Sequence, residues 1–106
     1  MLVLSRKRGE WVQVGNDVFI TVVEIAGNRA RFGFLAPGYI SILRDEIAAM
    51  GETRTGFGNG MLVLSRKKDE GFVFGSTTMK VVEIKGKSVR LGFEAPPDVP
   101  IRRVIG

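Results

Sequence analysis

At 106 residues, with 44% hydrophobic and 25% charged side chains, the chain has the size and composition of one soluble globular domain, and no apolar run is long enough to span a bilayer. It contains neither Cys nor His, which excludes disulfides, thiolate chemistry and Cys/His zinc sites and removes the usual general base near neutral pH; no enzyme activity, metal or cofactor is expected. A net charge of +5 and a pI near 10.1 favour a polyanionic partner, most often nucleic acid, against plain solubility.

In chain order the signals are for strands. Residues 1–7 are apolar and then basic, too short for a signal peptide, so a cytoplasmic location is expected. Gly9 breaks them. Residues 10–14 alternate, with Trp11 and Gln13 on one face and Val12 and Val14 on the other. Gly15-Asn16-Asp17 is a turn by composition. Residues 18–25 are rich in β-branched side chains, which suit a pleated surface. Ala26-Gly27-Asn28-Arg29 is a hairpin signal, and residues 29–34 return. Gly33 inside that strand points to a bulge or a close backbone approach. Pro37 ends it by offering no ladder donor, and residues 39–44 make a fifth strand. Residues 45–50 suit a short helix: Asp45 and Glu46 meet the positive end of its dipole, Ile47 and Met50 give one apolar side, and Gly51 stops it. The Gly-rich stretch 52–60 reads as a flexible linker.

The same order then begins again. Met-Leu-Val-Leu-Ser-Arg-Lys occurs at residues 1–7 and at 61–67. Val22-Val23-Glu24-Ile25 returns as Val81-Val82-Glu83-Ile84, and Arg31-Phe32-Gly33-Phe34-Leu35-Ala36-Pro37 as Arg90-Leu91-Gly92-Phe93-Glu94-Ala95-Pro96. Ile42-Leu43-Arg44 matches Ile101-Arg102-Arg103. One residue is lost in the turn near Gly75. The second set of strands is expected at residues 61–67, 71–74, 79–85, 88–93 and 99–103. Two copies are too few for a solenoid, and each alone is near the size at which a core is marginal. A pseudo-two-fold unit with a shared core, a homodimer written as one chain, is the expectation. Its divisions are a first copy with its helix at 1–51, the linker at 52–60, and a second copy at 61–106. Val104-Ile105-Gly106 stand where the first copy has Asp45-Glu46-Ile47, so the second copy is expected to lack the helix.

Three constellations could carry function. The first is Leu4-Ser5-Arg6-Lys7-Arg8 with its copy Leu64-Ser65-Arg66-Lys67-Lys68: cations at a strand end that reach phosphates, or a sheet edge kept soluble by charge. The second is the pair of late strands carrying Arg44 and Arg103, with Arg102 adding a cation where the first copy has Leu43. Arg pairs bidentately with base edges or phosphate. At Arg44 the competing role is pairing with Asp45 or Glu46; at Arg103 no acid follows. The third, Gly33 to Pro37 and Gly92 to Pro96, is a strand-to-loop corner and reads largely as scaffold. Trp11 and the Phe residues read as core or surface patch rather than stacking platforms.

Taken together, Met-Leu-x-Leu-Ser-Arg-Lys, Gly9-Glu10, a Gly-centred hairpin, Arg-x-Gly-x-x-Ala-Pro and Ile40-Ser41-Ile42-Leu43-Arg44-Asp45-Glu46-Ile47 resemble the carbon storage regulator (CsrA/RsmA) family. Residues 1 to about 50 match throughout, and 61–103 match apart from the deletion and the tail. The resemblance implies a mainly β fold of two interleaved five-stranded copies with one short helix. It implies a bacterial post-transcriptional regulator that binds GGA-containing hairpin loops or single-stranded segments of messenger RNA, controls translation or stability, and is titrated by small RNAs. In some bacteria a flagellar assembly factor is a further partner.

It also implies composite sites. One joins Leu4, Ser5, Arg6 and Lys7 with Val99, Ile101, Arg102 and Arg103. The other joins Leu64, Ser65, Arg66 and Lys67 with Ile40, Ile42, Leu43 and Arg44. Ala36, Pro37, Ala95 and Pro96 supply loop backbone. The second fifth strand departs from the pattern: it loses both acids after its Arg and carries Pro100, which is tolerable only at a sheet edge. The two sites are therefore expected to differ in affinity or specificity. The competing class is a protein-interaction or titration module on a duplicated scaffold, and a dimer of chains exchanging halves through the linker is a further arrangement. A single monomeric chain forming its own pseudo-dimer is the preferred one.

Overall fold

The computed structural model describes residues 1–44, 54–55 and 61–104. The first copy folds as β1 (Leu2–Lys7), β2 (Trp11–Val14), β3 (Val18–Ala26), β4 (Arg29–Leu35) and β5 (Ser41–Arg44). A two-residue strand, β6 (Arg54–Thr55), follows. The second copy gives β7 (Leu62–Lys67), β8 (Gly71–Phe74), β9 (Thr77–Lys85), β10 (Ser88–Glu94) and β11 (Ile101–Val104). The fold is mainly β, with no helix among the described residues; the helix expected over 45–50 lies outside them. The lost residue falls where the sequence places it: three residues, 15–17, link β2 to β3, but only Gly75 and Ser76 link β8 to β9. Part of the stretch expected to be a flexible linker, β6, is in a ladder with β5.

The copies are interleaved. One sheet runs β1-β10-β9-β8-β5-β6 and the other β11-β2-β3-β4-β7. Each sheet thus has strands two to four of one copy at its centre, flanked by the first and fifth strands of the other. All pairings are antiparallel, which matches alternating strands that bury one face. In β2 the alternation is as expected: Val12 and Val14 are buried, Trp11 and Gln13 half-buried.

The core lies between the sheets and draws on both copies: Val12, Ile20, Phe32 and Phe34 from one side, Phe72, Met79, Leu91 and Phe93 from the other. Phe34 meets Phe72 edge-on at 4.9 Å and Phe74 at 6.0 Å, and Phe32 meets Phe72 at 5.9 Å. Edge-to-face rings add about 0.5–1.5 kcal/mol per pair beyond area burial. These contacts join strands of different copies, so neither copy can keep its core without the other. Phe72 and Phe74 occupy the places of Val12 and Val14 in the repeat, and the aromatic cluster therefore sits at one end of the sandwich only. The Phe residues in it are core, the first of the two roles the sequence leaves open for them.

Gly33 and Gly92 are buried in β4 and β10 for a specific reason. A Cβ on Gly33 would collide with Sδ of Met61, and one on Gly92 with Sδ of Met1. The methionine that opens each first strand lies across the glycine of the fourth strand of the other copy. A ladder irregularity between Val22 and Glu24, beside this glycine, supplies the bulge as well. Pro100 sits just before edge strand β11, and its carbonyl accepts from the Gly15 amide at 2.8 Å; proline supplies no N–H to return that bond.

Candidate nucleic-acid interface

Directly opposed residues in an antiparallel ladder project to the same face. Arg6 opposes Val89 and Arg66 opposes Ala30, both buried. Arg103 opposes buried Val12, and Arg44 opposes buried Phe72. All four arginines therefore lie on the inner faces of strands at the sheet margins, where the rims of the two sheets meet. Lys7 and Arg102 take the outer faces, opposite Ser88 and Gln13.

At one rim the first strand of the first copy meets the fifth strand of the second. Arg6 Nη1 donates to the carbonyl of Trp11 at 3.5 Å, and Trp11 is the ladder partner of Val104 in β11. Along the same rim, Met1 and Leu2 share a cavity of about 560 Å³ with Ala95, Pro96, Val99 and Ile101. At the other rim Arg66 Nη1 donates to the carbonyl of Gly71 at 3.4 Å, and its guanidinium lies 5.9 Å from the centroid of Phe72, the partner of Arg44. Both rims thus pair a basic first strand with an arginine-bearing fifth strand from the opposite copy.

The arginines of the first strands are braced rather than free. Arg6 Nε donates to its neighbour's carbonyl, Ser5, at 2.7 Å and lies 3.8 Å from the Glu10 carboxylate; Arg66 lies 3.6 Å from Glu70. Their side chains are 13% and 7% exposed. The same carboxylates accept the amides of Lys7 and Lys67 at 2.7 and 2.8 Å. Glu10 and Glu70 therefore fix the ends of both first strands. The sequence signal for them was the acid three residues after each Lys, to which composition alone assigns no role.

The sequence-predicted residues divide by what they can offer. Lys7, Lys67, Arg102, Arg103 and Ser5 are exposed. Leu43, Arg44, Ser65, Ile40, Val99, Ile101, Ala36, Pro37, Ala95 and Pro96 are half-buried. Leu4, Leu64 and Ile42 are core, so they offer a ligand only backbone groups. Arg44 Nε is buried with no hydrogen-bond partner among the described residues, a kind of donor that a buried site rarely leaves unmet. Asp45 and Glu46, the competing partners for Arg44, lie outside the described residues. The turns before the fifth strands close alike, Ile40 N to Pro37 O and Val99 N to Pro96 O, both 3.0 Å. No group of acids among the described residues is arranged to hold a metal ion, and no described helix is long and apolar enough to cross a membrane.

Residues 1–52 and 61–104 each match the model of CsrA, described as a global regulator protein family. The chain belongs to the CsrA family. It carries two CsrA copies in tandem, and their interleaving accounts for both rims. Curated relatives named Translational regulator CsrA include those of Geobacter metallireducens (51% identical over 47 residues), Thermotoga petrophila (47%) and Syntrophomonas wolfei (47%). Each alignment covers 44% of this chain, and 60%, 57% and 62% of the respective relatives. The chain thus spans about three-fifths of the length of these curated CsrA relatives. No solved structure matches it.

Proposed function

We propose that this chain is an RNA-binding post-transcriptional regulator that recognises GGA-containing loops or single-stranded segments of messenger RNA. Bound protein would act by occupancy, covering or exposing an RNA segment and so altering translation or stability; small RNAs with several GGA loops would compete for it. The observation that carries this reading is the meeting, at each rim, of a basic first strand with an arginine-bearing fifth strand from the other copy. Unpaired RNA is read by base edges and backbone fit. A strand margin with outward amides and carbonyls, flanked by Lys and Arg, offers both. Lys7, Arg102 and Arg103 are exposed and suit phosphate or base contact. Because both copies lie in one chain, assembly of the sites would not depend on protomer concentration.

A protein partner is the second reading, and one observation favours it: Met1, Leu2, Val3 and Val104 expose apolar surface along the same rim. A gel shift separates the two. The RNA reading expects retardation of a GGA hairpin and at least tenfold weaker binding of the same hairpin carrying CCA. Equal binding of both hairpins, or of neither, rejects sequence-specific RNA recognition.

A further inference from the structure

The two rims are not equally open. β11 ends its sheet and, among the described residues, is paired on one side only, through Arg102–Gln13 and Arg103–Val12. β5 is paired on both sides. β8 takes one edge at Ile42, Leu43 and Arg44, and β6 takes the other, Ser41 opposing Thr55 and Ile42 opposing Arg54. The backbone margin that a base would read at Ser41 and Ile42 is thus already occupied by the chain itself.

The occupying segment belongs to neither copy. Residues 54–55 lie outside both stretches that match the family, 1–52 and 61–104. They come from the join between the copies, and a tandem chain has one join for two fifth strands. A cap drawn from the join can therefore close only one site. We propose that β6 is an intramolecular strand cap that holds the β7/β5 site closed, leaving the β1/β11 site to take RNA first. This rests on the RNA reading above and adds to it the regulation of one of its sites.

Two further observations fit. The open rim keeps the cavity of about 560 Å³ lined by Met1, Leu2, Val99 and Ile101, a volume in the range of small-ligand pockets. The capped rim keeps a donor with no partner among the described residues, Arg44 Nε, beyond the two positions that β6 covers. The second site is therefore held in reserve: its arginine donor is left uncovered by β6, and the strand margin at Ser41 and Ile42 opens once the cap leaves. The cap is short. Two ladder positions set a modest threshold that a high concentration of RNA, or an RNA with two linked GGA loops, overcomes.

The test is calorimetric titration of the full chain with a single GGA hairpin. The wild-type chain is expected to bind one equivalent tightly and a second on the order of tenfold more weakly. Replacing the cap by Arg54→Pro with Thr55→Pro removes both ladder donors and is expected to bring the second equivalent within about threefold of the first. Arg54→Gly with Thr55→Gly, which keeps the donors but disfavours the extended pairing, should move it the same way by less. Arg103→Ala with the native join intact should weaken the first equivalent and leave the second. Two equal equivalents in the wild type, or a second equivalent unmoved by either cap variant, overturns the cap while leaving RNA recognition intact. Absence of any GGA binding overturns the RNA reading itself.

Discussion

The guanidinium of Arg66 lies over the ring of Phe72, 5.9 Å from its centroid, and through that ring the first strand of the second copy is tied to the arginine-bearing fifth strand of the first. Phe72 also packs edge-on against Phe32 and Phe34 and is fully buried. Phe72→Ala is expected to cost about 3–5 kcal/mol of stability, read as a shift in the urea midpoint. Val12→Ala, at the equivalent place of the other end, removes a smaller side chain and should cost less. Equal losses would show that Phe72 and its ring contacts contribute no more than a buried valine.

The methionine that crosses Gly33 makes a second prediction. Gly33→Ala forces Met61 out of place and is expected to destabilise by about 1–3 kcal/mol. In a Met61→Ala background the same substitution should cost distinctly less, because the colliding sulfur is gone. A double-mutant cycle on thermal unfolding reads the coupling; strict additivity would mean that the collision is relieved elsewhere.

Asp69 holds a left-handed backbone, with φ 72°, where the first copy has Gly9 at φ 85°. Left-handed conformation costs a side-chain-bearing residue roughly 1–2 kcal/mol, and glycine gives back part of that gain in chain entropy. Asp69→Gly is therefore expected to stabilise the chain by about 0.5–1 kcal/mol. Denaturant titration checks the sign, and a loss would mean that the aspartate contributes more than its backbone strain.

Tyr39, the one tyrosine of the chain, donates its hydroxyl to Asp17 Oδ2 at 2.8 Å. That hydrogen bond, followed by the negative charge of Asp17, raises the phenol above its ordinary 10.0. Its contribution is present below the unfolded value and is lost as pH rises through the raised one. Asp17→Asn should bring the phenolate absorbance transition down toward 10.0. An unmoved transition would show that the bond is not kept in solution.

For binding, losing an arginine that contacts base or phosphate costs about 1–3 kcal/mol. The double variant Arg44→Ala, Arg103→Ala should therefore lose GGA-hairpin affinity by at least tenfold relative to wild type. Each lost phosphate contact to single-stranded RNA should also lower the slope of log affinity against log salt by about 0.7. Unchanged affinity in filter binding would remove both arginines from the site.

Much of the fold was legible because period-two alternation and β-branched runs are local: β2 with Val12 and Val14, and β3 from Val18 onward, follow from their own residues. The exchange of first and fifth strands between copies is not a local property. It rested on the repeat and on family resemblance, since nothing in Ser41–Arg44 by itself names β8 as its partner. Arg6 and Arg66 read as exposed cations because a basic strand end looks like a solvated edge. Their burial depends on Val89 and Ala30 opposite them and on Glu10 and Glu70 nearby. β6 was illegible, because Arg54 and Thr55 sit in a Gly-rich run whose composition signals coil.

The central claim is that each RNA site is shared between copies. Amide chemical shifts of the labelled chain, followed while one equivalent of a GGA hairpin is added, test it most directly. The account predicts that residues 2–7 and 101–104, which belong to different copies and different sheets, respond together. A response of residues 2–7 without 101–104 would contradict it.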